Sequence, residues 1–373
     1  MNVANIKICF LSVYRDLGYR ISESAPLLTD DPTLLFVNAS VTPFKAAMVT
    51  GQAIPDTAQV QRCFRANMDE QWLLFFEMLG VVGMRNRLGA FTRDLIGFLT
   101  RDSGICSNEH LHSVVHPDDS LLQDAWLQAT AGRPVHFLSQ NSDKYWTRWA
   151  YGKNVTLSGR GMTVVWENSA LKPCSSQCDI HCSCQRFLPL GNIIAVENAT
   201  GGGYVEIGFG AECLAAIQHG GSIYEIDEYA GRVRAISLLG YTSKESKCLA
   251  NLLIGITRLI QEGCKPGNKK AAYVLRSLMR HFAQVVIGES GLQALPANLT
   301  AVLRAAEADM ETTQGFAKEI EQFLASIHRG VPSARRFINR HNHFSKAELT
   351  TKLRDTYGLP AVVIDELLSE MPI

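Results

Sequence analysis

The sequence predicts an α+β protein: an antiparallel sheet flanked by helices over residues 1–242, followed by an all-helical domain over 243–373. Three observations predict it. Strand-like runs (LLFV, LLFFEML, MTVVW, NIIAV, YVEIGF) are scattered through the first part between Gly and polar turns. They do not alternate with long helical stripes, which argues against βαβ units and a parallel sheet. Beyond Leu239-Gly240-Tyr241 the apolar residues switch to a helical period.

Taken in order, Ile8, Phe10, Leu11, Tyr14 and Leu17 predict an amphipathic helix near the N-terminus. The strand runs then occupy 31–242. Thr242 and Glu245 have capping-box spacing, and Leu249, Leu252, Leu253, Ile256, Leu259 and Ile260 make one helical stripe. A Gly263–Gly267 turn leads to a second helix around Ala271–Ala283. A third carries Phe316, Ile320, Phe323, Leu324 and Ile327 and is expected to stop at Gly330. Ser345 and Glu348 repeat the capping box for a fourth, and Pro360 is placed to open the last.

The 373 residues balance 36 Lys+Arg against 36 Asp+Glu, so no global field draws the chain to nucleic acid. Residues 243–373 hold 17 Lys+Arg against 13 Asp+Glu, a net of +4 that permits a local nucleic-acid face. The first residues, MNVANIKICFLSVYRDL, have too short an apolar stretch for a signal peptide, and no apolar run of about eighteen residues suggests a membrane span. With ten cysteines and no secretory signal, the expectation is a reducing, cytoplasmic setting with thiols or metal in place of disulfides.

Residues 31 onward read DPTLLFVNASVTPFKAAMVTG, then QRCFRAN, then FFEMLG. This run resembles the opening of the alanyl-tRNA synthetase family, DPTLLFTNAG-x-x-x-FK followed by a CxRAG turn and an FFEMLG strand. EGCKPGNKKAAYVLRSLMRH and LRDTYGLPAVVIDELL resemble the family's later helical segments, so the likeness runs to the last residues. It implies a class II synthetase sheet plus helices that hold the acceptor stem of alanine tRNA. It also implies ATP with Mg²⁺ and a small amino acid as ligands. The family's editing and C-terminal domains have no counterpart in this sequence, and proofreading in cis is not expected.

Residue by residue, the resemblance places Arg65 as the arginine that clamps an α-phosphate and the substrate carboxylate, and Phe75 or Phe76 as an adenine-stacking face. A surface arginine and a core aromatic are the plain alternatives. SDKYWTRWAYG puts Trp146 at the floor of an amino-acid pocket, RFLPLGNIIAVEN puts Asn192 there, and YVEIGFGAECL puts Gly208 and Gly210 under the adenylate. The same segment departs from the family pattern. Its adenine-facing arginine falls on Cys213, which has neither charge nor planar fork, and its amino-group-binding aspartate falls on Glu206. The loop after Arg65 is shortened to ANMDEQWLL, and the glycine-rich stretch after FFEMLG becomes VVGMRNRLGAF. Each change removes a group facing ATP, and each such donor is worth a few kcal/mol at a phosphoryl-transfer transition state.

On the RNA side, Asn268, Arg276 and Asp355 match family positions near the acceptor stem, and Lys269, Lys270 and Arg280 add charge suited to phosphates; solvated helix charge is the alternative. Separately, CSSQCDIHCSC gathers Cys174, Cys178, Cys182, Cys184 and His181 within eleven residues, a density that suits tetrahedral zinc. A metal-free reduced loop and a redox sensor fit the same residues.

Three functions are therefore carried. The first is a paralogue that binds a small, alanine-like amino acid or the alanine tRNA acceptor stem, with ATP-dependent charging lost or weakened, serving acyl transfer or regulation. The second is an active aminoacyl ligase of altered specificity, charging tRNA or another acceptor. The third is a non-enzymatic module with a protein partner. Whether the chain is an enzyme stays open at this level.

Overall fold

The computed structural model of the protein describes residues 1–29, 31, 33–66, 72–138, 145, 148–151, 156–288, 292–341 and 344–369. They divide into two units, Met1–Arg65 with Phe75–Asp227, and Ala66–Leu74 with Glu228–Ile373. The sequence-based division at 242/243 lies some fifteen residues later, and it did not assign 66–74 to the helical part.

The first unit is built on a nine-stranded sheet: β1 (Arg20–Ser22), β2 (Thr57–Phe64), β3 (Phe75–Met84), β4 (Leu111–Val115), β5 (Val135–Phe137), β6 (Arg148–Tyr151), β7 (Leu157–Glu167), β8 (Phe187–Asn198) and β9 (Gly203–Gly210). The order is β1-β2-β3-β9-β8-β7-β4-β5, with β6 added on β7. The centre is antiparallel as expected, while the outer pairs β1–β2 and β4–β5 are parallel. MTVVW, NIIAV, YVEIGF and most of LLFFEML fall in β7, β8, β9 and β3. The run LLFV forms no strand; only Phe36 makes an isolated bridge, to Leu28.

Its helices are α1 (Val3–Asp16), α2 (Lys45–Val49), α3 (Leu88–Gly97), α4 (Ser120–Ala129) and α5 (Ala211–Ala216). Helix α1 starts where the Asn2 side chain accepts from the Asn5 amide. It buries Val3, Ile6, Phe10 and Tyr14, whereas Ile8 and Leu17, expected on the buried stripe, are 68% and 46% exposed. The aromatic residues decide the face. Phe10 packs on Tyr14 and Phe98, and Tyr14 on Tyr19, a set whose burial outweighs one isoleucine at ~1.5–3 kcal/mol per large side chain.

The second unit is helical: α6 (Asp227–Ser237), α7 (Ser243–Gln261), α8 (Lys270–Ile287), α9 (Leu295–Ala305), α10 (Met310–Arg340), α11 (Lys346–Tyr357) and α12 (Ala361–Ser369). Both capping boxes form, Thr242 with Glu245 and Ser345 with Glu348. The Pro360 carbonyl accepts from Val363 and Ile364 at the start of α12. The expected stop at Gly330 is wrong: α10 continues through Gly330 and Pro332 for ten more residues. Buried Ala334 and Ile338 extend its apolar stripe, and that packing offsets the hydrogen bond proline removes. Among the described residues no helix is long and apolar enough to cross a membrane.

Candidate functional site

Strand pairing aligns Gln59, Gly80, Gly208, Asn192 and Thr163 in one row across β2, β3, β9, β8 and β7. Directly paired residues share a face, so this row carries amides, a hydroxyl and two glycines on one side of the sheet. The next row, Val60, Leu79, Phe209, Gly191 and Val164, is mainly apolar and faces the other way. The polar row marks one stretch of its face; farther along the same strands that face carries a core cluster of Val82, Leu157, Val196 and Tyr204. Asn192 accepts from the Thr163 hydroxyl at 2.8 Å, which fixes its amide orientation on the polar face.

The segment 38–45 lies over this face. A Cβ on Gly80 would sit 2.2 Å from Ser40 Cβ, so only glycine leaves room for the close approach. Ser40, fully buried, donates to Glu206 Oε1 at 2.8 Å, and the Val41 amide donates to the same oxygen at 2.9 Å. Gln59 donates to the Ser40 carbonyl at 2.6 Å. Both bonds to Glu206 fall on Oε1; Oε2 makes none among the described residues. Burial raises the Glu206 carboxyl above its ordinary range, opposed by Ser40, Val41, Lys45 and Arg65.

Lys45, not singled out from the sequence, belongs to this cluster. Its side chain is buried with Nζ 5.6 Å from the Trp149 ring centre, and burial lowers its pKa to about 8 against the pull of Asp31 and Glu206. The one signal available was the Phe44-Lys45 dipeptide that follows the DPTLLF run.

Arg65 follows β2 and donates through Nε and Nη2 to the Asn38 carbonyl at 3.2 and 3.1 Å. Its guanidinium lies 4.8 Å from the centre of the Phe76 ring, a cation–π stack. Phe76 pairs with Cys63, on the polar face; Phe75 pairs with Phe64 on the opposite face and is buried. The positive field of Arg65 reaches Glu206 and Cys213. Cys213 is half-buried on α5, and burial pushes its thiol up to about 12, so it is neutral near pH 7. Next to it, Glu212 accepts from the Glu77 amide at 3.0 and 3.1 Å, a structural use of its carboxylate.

The glycines of β9 are not open cradles. A Cβ on Gly208 would meet Met78 Sδ at 2.8 Å, and one on Gly210 would meet Cys213 Sγ at 3.2 Å. Met78 is itself buried and accepts from the Ser40 amide at 3.2 Å. Of the nearby arginines, Arg85 pairs with Glu197, and Arg87 pairs with Asp56 at 2.7 Å.

The profile of class II (A) tRNA synthetases matches residues 5–197, more than half of the chain. The chain belongs to this family. Alanine–tRNA ligases are its similar relatives. That of Rubrobacter xylanophilus is 28% identical over 440 aligned positions, covering 100% of this chain and 48% of the relative. That of Carboxydothermus hydrogenoformans is 27% identical over 417 positions, covering 99% and 47%. That of Paraburkholderia xenovorans is 25% identical over 433, covering 100% and 48%. The chain spans about half the length of these relatives.

Class II synthetases use ATP with Mg²⁺. Arg65 remains as a cation, but a neutral thiol occupies position 213, and Met78 and Cys213 fill the space over Gly208 and Gly210. Trp146 and most of its segment lie outside the described residues.

In the second unit, Asn268, Lys269 and Lys270 lie at the exposed start of α8. Arg276 donates to the Asn268 side chain and lies 5.7 Å from the Tyr273 ring, itself 53% exposed. Lys270 holds a φ of 50°, a left-handed conformation rare for a residue with a Cβ. Asp355 is exposed on α11 beside Arg354, with which it pairs at 3.1 Å. Arg280, expected to add charge for phosphates, instead turns inward to Glu319 at 2.7 Å and stacks on Phe323. Leu74 donates to Asn251 of α7, which donates back to the Trp72 carbonyl, so the end of the shortened loop is pinned within this unit.

The four cysteines of the β7–β8 connection come together, with all Sγ atoms within 4.8 Å of one another, an arrangement able to hold a metal ion. His181 stands apart from that group; its ring packs edge-on to Tyr145 at 5.8 Å.

Proposed function

We propose that this class II synthetase-family chain binds a small, alanine-like amino acid on the polar sheet face and has lost or weakened ATP-dependent activation. Arg65 takes the carboxylate, with Asn38 and Phe76 fixing its plane. Glu206 takes the ammonium through Oε2, while Ser40 and Val41 hold Oε1 still. Asn192, oriented by Thr163, and Trp146 complete the pocket. Lys45 and Arg65 oppose the burial that raises the Glu206 carboxyl, and so favour the charged form that an ammonium needs.

The observation that carries the loss of activation is Cys213. In-line attack on an α-phosphate builds charge on phosphoryl oxygens, which preorganised cations must meet. Position 213 offers a neutral, half-buried thiol. Isothermal titration with alanine, glycine and serine, beside amino-acid-dependent ATP–pyrophosphate exchange, tests the reading: binding without exchange supports it.

A working ligase is the second reading, favoured by the Arg65–Phe76 stack, a cation and an aromatic face side by side as an adenylate requires. The second unit is proposed as an acceptor-stem surface through Asn268, Lys269, Lys270 and Arg276, with Asp355 as a further contact. Its binding to alanine tRNA should fall with salt, and Lys269→Ala should reduce the log–log salt slope by about one.

A further inference from the structure

We propose that Cys174, Cys178, Cys182 and Cys184 bind one Zn²⁺ in a tetrahedral all-thiolate knuckle that folds the connection between β7 and β8. Residues 168–186 leave the sheet at the Glu167–Phe187 pair and return without a strand or helix of their own. An irregular connection beyond about 12–15 residues is uncommon in a folded domain unless something organises it. Apolar burial does not supply that here. From Ala170 to Gln177 every residue is exposed, and Ile180 is the single hydrophobic side chain of the loop packed into the core, against Val114, Tyr145, Val165 and Phe187.

The thiols supply it instead. Cys174 and Cys182 Sγ are 3.3 Å apart, and Cys178 and Cys184 are 3.7 Å apart. Zinc–thiolate bonds of about 2.3 Å at the tetrahedral angle set sulfur atoms ~3.8 Å apart, the size of this cluster. The separations are far beyond a disulfide bond of about 2.05 Å. Two turns preset the ligands: the Cys178 amide donates to the Ser175 carbonyl, and the Cys182 amide to the Asp179 carbonyl. The Asp179 carboxylate accepts from the His181 amide. Four thiolates around a dication leave two negative charges, and the Arg186 guanidinium beside Cys178 offsets part of them. Arg186 is held in place by Glu167 at 2.5 Å, which also bonds His112 at 3.1 Å. The knuckle is tied to the sheet by the Tyr145 hydroxyl, which donates to the Ile180 carbonyl. His181 is not a ligand in this arrangement, although sequence spacing alone admitted it.

Metal analysis of the full chain, purified reduced and without chelator, should find one zinc per chain and no colour. Cobalt substitution should give the intense visible bands of a tetrahedral thiolate site. Cys178→Ser and Cys184→Ser should each lose most of the metal, and His181→Ala should keep it. The four thiols, exposed or half-exposed by geometry, should resist alkylation until zinc is removed with a strong chelator. A metal-free protein whose four thiols alkylate at once would overturn the proposal. So would a Cys174–Cys182 disulfide in the reduced preparation, an iron-coloured protein, or zinc that survives Cys178→Ser but leaves with His181→Ala. Arg65→Ala should leave the zinc content unchanged, so failure of the amino-acid reading and failure of the metal site are separable.

Discussion

Gly80→Ala tests how the candidate site is held. The new methyl carbon would lie 2.2 Å from Ser40 Cβ, where ordinary contact begins at 3.4 Å. Ser40 must therefore retreat by about 1.2 Å, which stretches its 2.8 Å bond to Glu206, and that of Val41 at 2.9 Å, past hydrogen-bonding range. Overpacking costs ~1–3 kcal/mol, and buried bonds to a charged acceptor ~1.5–3 kcal/mol each. Retreat trades one cost for the other, so we expect a loss of about 3–5 kcal/mol, a large share of the ~5–15 kcal/mol of a typical domain. Ser40→Gly removes the clashing carbon and, alone, costs one hydroxyl bond. The double variant Gly80→Ala/Ser40→Gly should therefore be more stable than Gly80→Ala. Urea unfolding of the four proteins gives the coupling energy, expected near 2 kcal/mol and of compensating sign. Additive losses, agreeing within ~0.5 kcal/mol, would refute the close packing of Ser40 on Gly80. The single variant should also weaken amino-acid binding, because it moves the groups that hold Glu206.

Three further outcomes follow from the same geometry. Lys45 has its pKa lowered to about 8 from 10.5, so its stabilising contribution is fully present above 10.5 and is lost as pH falls through about 8. The urea midpoint of the native protein relative to Lys45→Met should rise between those values, and a flat difference would refute the burial of that amine. Glu206 has a raised pKa and must be ionised to hold an ammonium, so amino-acid affinity should increase with pH through its titration, while Glu206→Gln should bind weakly at every pH. Arg280→Ala strands the 3%-exposed carboxylate of Glu319 and should cost ~3–5 kcal/mol in urea unfolding with no specific change in the salt slope of RNA binding.

The parts of this fold that were legible in the sequence are those where local chemistry and tertiary packing agree. Short strand-like apolar runs between turns marked β7, β8 and β9, and side-chain spacing marked both capping boxes. Strand β2 was harder to see because Gln59 and Gln61 are buried yet polar, bonded to Ser40 and Ala25. A polar strand facing a site looks like an exposed loop. Helix α10 was cut short because Gly330 and Pro332 are local stop signals that burial of Ala334 and Ile338 overrides. At the site, residue matching proposed Arg65, Asn192 and Glu206, which share the polar side of the sheet or its rim. It had no way to show that Met78 and Cys213 fill the space above Gly208 and Gly210, or that Lys45 lies beside Glu206, since both depend on contacts between distant segments.

The most direct test of the account is amino-acid-dependent ATP–pyrophosphate exchange measured beside calorimetric binding of alanine, glycine and serine to the same preparation. One of these amino acids should bind, Arg65→Ala should abolish the binding, and exchange should be absent or far weaker than an active ligase gives. Robust exchange by the native protein, lost on Arg65→Ala, would contradict this and establish an adenylating ligase despite Cys213.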